Sequence, residues 1–229
     1  MTQPRSAPRE VSYWEIFFVV GLLALPSSVN AVFMLLHPTP SPLELEHTDW
    51  YFALHAMNTF FMTGVLYLFL RRGGETLQDF TRPFQLGDVG WGIALGVIGF
   101  GATVSAFSIF SRFPGWFGGT ATPNLEVFRG RLSPFYLAAI LINPVCEESF
   151  MRGYLQTRLR QKGWWSVNIV CLSVLVQSFY HIYQGLLSAF VIAATFLVFA
   201  VFYQRTGRLW PVVMGHAIID AAMMLDVSR

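Results

Sequence analysis

The sequence predicts an all-α fold, a polytopic bundle of about seven membrane-spanning helices with room for an eighth, and three observations predict it. Charged residues are 12% of the 229 positions while hydrophobic residues are 54%, against an ordinary charged share of about 25% in soluble domains. Mean hydropathy is +0.51. Apolar segments follow one another down the chain, most near the roughly 20 residues that a spanning helix needs.

Seven such segments can be marked, at about 13–36, 50–70, 89–110, 133–146, 164–184, 186–203 and 209–226. The first follows Arg5 and Arg9 and contains "SVNA", which has the look of a signal-peptide cleavage site. The apolar run continues past it through "VFMLL", so a spanning helix kinked at Pro26 is the better expectation. The third carries Gly92-x-x-x-Gly96, a spacing that lets membrane helices approach closely. The fourth is short by itself, but it runs on into the helical-looking stretch "EESFMRGYLQTRLRQ". The remaining three are separated by short turns. The domain plan is an N-terminal tail over 1–12, helices and loops over 13–132, and a functional core over 133–229.

A net charge of +2 gives no reason to expect nucleic acid as a partner. The 15 basic residues lie in short inter-segment stretches instead. With the N-terminus inside, eleven fall on cytoplasmic segments, Arg152 counted among them, and Arg112, Arg129, Arg131 and Arg229 fall outside. That bias predicts an integral, multi-pass protein of the inner or plasma membrane with a cytoplasmic N-terminus. Cys146 and Cys171 make no disulfide framework, and a cysteine in an apolar run is ordinarily inert.

Ionisable groups inside spanning segments are costly, so they are candidates for function. Segment two offers His55 and Asn58, the fourth and its extension Asn143, Glu147, Glu148 and Arg152, the fifth Gln177 and His181, and the seventh His216 and Asp220. Residues four apart on a helix share a face. Glu148 and Arg152 are therefore expected to pair, and Glu147, about 100° away, keeps a carboxylate with no local partner. Gln177 with His181 and His216 with Asp220 each form one polar face, and such faces can be buried only against one another. His55 by itself is expected to be an interhelical hydrogen-bonder or an edge residue and not a ligand. Asn143-Pro144 suits the start of a new helix, with Asn as cap, and suits equally a kink in a continuous one.

At these residues the sequence resembles the CPBP family of intramembrane proteases, relatives of the type 2 CAAX prenyl protease and of abortive-infection and lysostaphin-resistance-like membrane proteins. The pattern Glu-Glu-x-x-x-Arg is met by "EESFMR" and His-x-x-x-Asn/Asp by "HAIID". The intervening Phe-x-x-x-His is met by "QSFYH" only at His181, with Gln177 where an aromatic is expected. The similarity covers about 134–226. It implies an endopeptidase acting on a membrane-embedded or lipid-anchored protein or peptide, with the lipid bilayer as its surroundings. It also implies catalytic roles for Glu147, His181, His216 and Asp220, braced by Glu148 and Arg152.

Peptide hydrolysis needs a base, a water held near it and donors for the developing oxyanion. Glu147 can be the base, His181 can co-hold the water and His216 can serve the oxyanion. His181, His216 and Asp220 also make a zinc ligand set in kind, so one divalent metal and no metal both fit the sequence. Water must reach such a site, and a polar cavity opening toward the cytoplasmic side near Glu147 is expected. Two other classes remain open: a catalytically silent membrane partner of immunity type, and a transporter or proton relay. Against the relay, no broken helices recur in two halves.

Overall fold

A computed structural model of the chain describes residues 10–36, 49–117 and 133–227. Among the described residues there are no strands; the chain forms seven helical rods. They are α1 (Tyr13–Leu36), α2 (Asp49–Arg72) and α3 (Gly87–Phe110), then one long composite rod, then α6 (Ser166–Tyr180), α7 (Leu186–Thr206) and α8 (Leu209–Val227). The composite rod starts as α4 (Pro134–Glu148), passes into a π-helix (Ser149–Gln156) and ends as α5 (Thr157–Gln161). Its start follows local rules: Ser133 caps it, accepting from the Tyr136 N–H at 3.2 Å, and Pro134 sits at the first position, where its missing N–H costs nothing.

Segments Phe52–Arg72, Gly87–Phe110 and Leu186–Thr206 are long and apolar enough to cross a membrane, and 24-residue α3 measures about 36 Å. Tyr13–Val29, Ser166–Tyr180 and Leu209–Ala222 are shorter apolar stretches. The outside of the bundle carries Phe17, Phe18, Phe60, Phe61, Val97 and Leu175 exposed, as lipid contact requires. The protein is an integral membrane protein. Exposed Trp14 and Trp165 stand at one end of the bundle, and exposed Trp50 and Trp116 at the other, where aromatic belts mark the two interfaces. Helix α1 runs unbroken through Pro26 and past the "SVNA" stretch to Leu36, so the spanning-helix expectation fits it and a cut there does not.

The two ends of the bundle differ in charge. One end is stitched together by basic residues of the connectors. Arg158 donates to Glu75 at 2.9 Å, Arg160 to the Gln204 side chain at 2.9 Å and Arg208 to Asp88 at 2.7 Å. The Arg82 N–H donates to the Gly207 carbonyl at 3.2 Å, and Trp164 Nε1 to the Tyr13 hydroxyl at 3.1 Å. At the other end the joins are aromatic: Phe52 against Tyr136 with ring centroids 4.4 Å apart, and Phe110 against Phe190 at 6.2 Å. Arg152 belongs to neither end. It is fully buried, so counting it among the loop arginines was wrong.

The glycine spacing in α3 is a packing face. A Cβ on Gly92 would stand 2.7 Å from Cβ of Met214, and one on Gly96 would stand 3.0 Å from Ile218. Gly215 answers from α8, where an added Cβ would lie 3.0 Å from Leu95 and 3.1 Å from the Gly96 nitrogen. Membrane helices gain little hydrophobic energy by associating, so this backbone-close fit is what fixes α8 against α3. It also fixes the depth and rotation of His216, the residue next to Gly215.

Candidate active site

Asn143-Pro144 does not begin a new helix. The helix runs through Pro144, and Asn143 turns its amide onto Glu147 Oε1 at 3.0 Å instead of capping. Pro144 cannot donate to the carbonyl one turn back, a local loosening of the ladder. Five residues later the helix widens to π geometry, and all eight residues of that segment are buried. Such π segments are uncommon and concentrate at functional sites. The "EESFMR" motif straddles the change of pitch.

Glu147 accepts three hydrogen bonds. Asn143 holds Oε1, while Gln177 Nε2 at 3.0 Å and the Tyr180 hydroxyl at 2.9 Å hold Oε2. The sequence left Glu147 without a partner on its own turn; the structure supplies partners from α6 and from Asn143.

Glu148 is wholly buried and faces the other way. Its Oε2 lies 3.1 Å from Arg152 Nε, a contact of charge and not a well-aligned hydrogen bond, and its Oε1 lies 2.8 Å from His216 Nδ1. Arg152 spends its remaining nitrogens on Gln177 Oε1 and on the Phe196 carbonyl, the latter at 2.9 Å. Gln177 therefore links Arg152 to Glu147, accepting from one and donating to the other. An aromatic residue at this position could do neither.

His181 closes α6 at the head of a short turn, Ile182–Gln184, with Gly185 at φ 99° redirecting the chain into α7. Its Nδ1 lies 2.7 Å from the Gln177 carbonyl. A carbonyl only accepts, so the proton sits on Nδ1 and the lone pair on Nε2. His216 lies between two carboxylates, with Glu148 on Nδ1 and Asp220 Oδ1 3.6 Å from Nε2. Both imidazoles pack on Phe196, at centroid distances of 5.0 and 6.3 Å.

Glu147, His181, His216 and Asp220 line one cavity of about 240 Å³, large enough and polar enough to hold water. His55 and Asn58 of α2 complete its wall, and His55 hydrogen-bonds Asn143 across to α4, the interhelical role expected of it. Leu22 and Pro26 of α1 close another side. Sequence reasoning missed Tyr180 and Phe196. Tyr180 stands next to His181, where a hydroxyl at membrane depth was the available signal; a phenylalanine in an apolar run gave none.

The cavity runs from mid-bundle toward the aromatic end. Its lining takes Phe52 and His55 from the first turns of α2 and Tyr136 from the first turn of α4, and none of the stitched arginines. A cytoplasmic N-terminus and a cavity opening to the cytoplasm are therefore incompatible, because α1 begins at the arginine-rich end. As for a metal, among the described residues no group of three His, Cys, Asp or Glu side chains comes together as a ligand set, His181, His216 and Asp220 included. Glu147 has its oxygens engaged by three donors, and His216 Nδ1 is engaged by Glu148. The residues do not fit a metal in this arrangement.

Residues 129–222, which hold all three motifs, match the family described as "Type II CAAX prenyl endopeptidase Rce1-like". A protein of Bacillus subtilis (strain 168), the uncharacterized protein YpbD, is 24% identical over 156 residues, covering 67% of this chain and 77% of that one. No solved structure matches the chain. Over residues 129–222 the chain is thus similar to the Rce1-like type II CAAX prenyl endopeptidases, a likeness consistent with a protease of the CPBP family.

Proposed function

We propose that this protein is an intramembrane endopeptidase that hydrolyses a peptide bond of a membrane-embedded or lipid-anchored protein. The observation that carries the reading is the shared cavity, where an acceptor-only carboxylate and two imidazoles of fixed, different orientation face the same water-sized space. Glu147 and the Nε2 lone pair of His181 hold a water between them. Glu147 takes a proton from it, the hydroxide oxygen bonds to the scissile carbonyl carbon, and the carbonyl electrons move onto oxygen. His216, poised between two carboxylates to donate from Nε2, serves that oxyanion. The C–N bond then breaks and the proton passes from Glu147 to the leaving amine. Asp220 orients His216. Glu148 and Arg152 touch no substrate and hold the frame. The segment 133–229 is the protease core, and the N-terminus lies on the cytoplasmic side.

The test is cleavage of membrane-anchored peptides by the purified, reconstituted protein beside Glu147→Ala and His181→Ala. Loss of cleavage in both variants, with folding retained, supports the reading. A wild-type protein that binds such peptides and cuts none of them favours the silent-partner alternative, and solute flux into vesicles favours the relay.

A further inference from the structure

We propose that the catalytic cavity opens on the non-cytoplasmic side of the membrane, so that the substrate is a membrane-anchored polypeptide whose scissile segment is presented from that side. The substrate half of this inference rests on the protease reading above; the sidedness does not.

Two independent features of the bundle meet here. The first is the position of the cavity along the helices. Glu147 sits midway along the rod from Pro134 to Gln161, and the polar lining continues from it in one direction only, through Asn143 and Tyr136 on that rod and through Asn58 and His55 on α2. Phe52 and His55, in the first two turns of α2, carry the lining toward that end. In the opposite direction the space is filled by Arg152, Tyr154, Leu155 and Leu159, all of them buried.

The second is the charge of the two ends. Helices α1, α3, α6 and α8 begin, and α2, α5 and α7 finish, at the end stitched by Arg158, Arg160 and Arg208. With Arg152 removed to the interior, the described residues place eight basic side chains at that end (Arg71, Arg72, Arg82, Arg158, Arg160, Lys162, Arg205 and Arg208) and Arg112 at the other. Short loops rich in Arg and Lys stay in the cytoplasm. The cavity is on the side away from them. A polypeptide reaching Glu147 from the cytoplasm would have to displace the buried Arg152 layer, whereas one arriving from the other side meets His55 and Asn58 first.

The experiment uses the full chain in cells, with Cys146 and Cys171 replaced by Ala and single cysteines placed at Gln78→Cys, Gly115→Cys or Asn58→Cys. Gln78 is exposed at the arginine-rich end and Gly115 at the other. A membrane-impermeant maleimide added to intact cells is expected to label Gly115→Cys and Asn58→Cys, and Gln78→Cys only after permeabilisation. The reverse pattern overturns the sidedness. Fusion of alkaline phosphatase or a fluorescent protein after Arg229 is a second measurement that survives a misfolded cavity: phosphatase activity is expected, and fluorescence without it overturns the inference. For the substrate, libraries of randomised peptide segments beside a single-span anchor are displayed on either side of the membrane. Cleavage confined to the non-cytoplasmic library and lost in Glu147→Ala supports the inference; cleavage confined to the cytoplasmic library overturns it. If neither library is cut while labelling shows the expected side, the protease reading fails, and the substrate assignment with it, but the sidedness stands.

Discussion

Glu147 and Glu148 are neighbours in sequence with opposite surroundings, and exchanging each for glutamine separates their duties. Glu148 is wholly buried with Arg152 and His216 against it. Glu148→Gln removes the carboxylate paired with the fully buried Arg152 guanidinium, and stranding one partner of a buried pair costs about 3–5 kcal/mol. For a chain of this size that is a fall in melting temperature of about 6–20 °C. Adding Arg152→Met, which removes the stranded charge, is expected to return part of the loss, with a coupling of about 2 kcal/mol between the two sites. Glu147→Gln keeps shape, and its amide oxygen still accepts from Gln177 and Tyr180, so its melting temperature stays within about 4 °C of wild type. It removes the general base, whose contribution to rate is about 100- to 10,000-fold. The assay is intrinsic tryptophan fluorescence through a thermal ramp, beside cleavage of a membrane-anchored peptide. A Glu148→Gln protein that melts with wild type, or a Glu147→Gln protein that keeps its cleavage rate, would refute the assignment of frame to one carboxylate and chemistry to the other.

Tyr180→Phe withdraws one of three donors from Glu147, and a hydrogen bond to a charged group is worth about 1.5–3 kcal/mol; melting is expected to fall by about 3–12 °C and single-turnover cleavage to slow. Gln177→Phe restores the aromatic of the family pattern yet leaves Arg152 and Glu147 each short of a partner. It should lower stability by about 1–3 kcal/mol and slow cleavage, and an improved enzyme would contradict the linking role. Gly215→Val forces α8 off α3, with an overpacking cost of about 1–3 kcal/mol and a drop in cleavage from the displaced His216, read by melting and by rate. Dialysis against a strong chelator is expected to leave cleavage unchanged, since no three-residue ligand set assembles among the described residues; restoration of lost activity by added zinc would refute the metal-free route.

The helix pattern was readable because most rods are apolar runs of near-spanning length, and the observed bounds fall close to the seven marked segments. The Glu148–Arg152 pair followed from helical spacing alone. The destination of Glu147 followed only in part: Asn143, four residues before it, was within reach of helical spacing, but its other two partners come from 30 and 33 residues away, and spacing within one helix says nothing of a neighbouring helix's rotation. Gln177 shows the same limit: read against a family pattern it was a defect in packing, whereas the three-dimensional arrangement makes it the link between two charged groups. The direction in which the cavity runs was invisible too, since it depends on which end of α2 and α4 the polar residues share. The first two helices carry no family motif, and their part in the wall at Pro26, His55 and Asn58 emerges only when the bundle is assembled.

The burial of Arg152 has a consequence for how the chain is made. A lone guanidinium entering lipid is heavily penalised, but Arg152 travels with Glu148 one turn before it on the same rod, so the segment is delivered as a neutral couple. Its other acceptors, on Gln177 and Phe196, are synthesised 25 and 44 residues later. Until those arrive the half-made protein holds its most polar segment with only internal compensation. Biogenesis should therefore pass through a vulnerable stage, sensitive to membrane quality control, that ends when the last three rods dock.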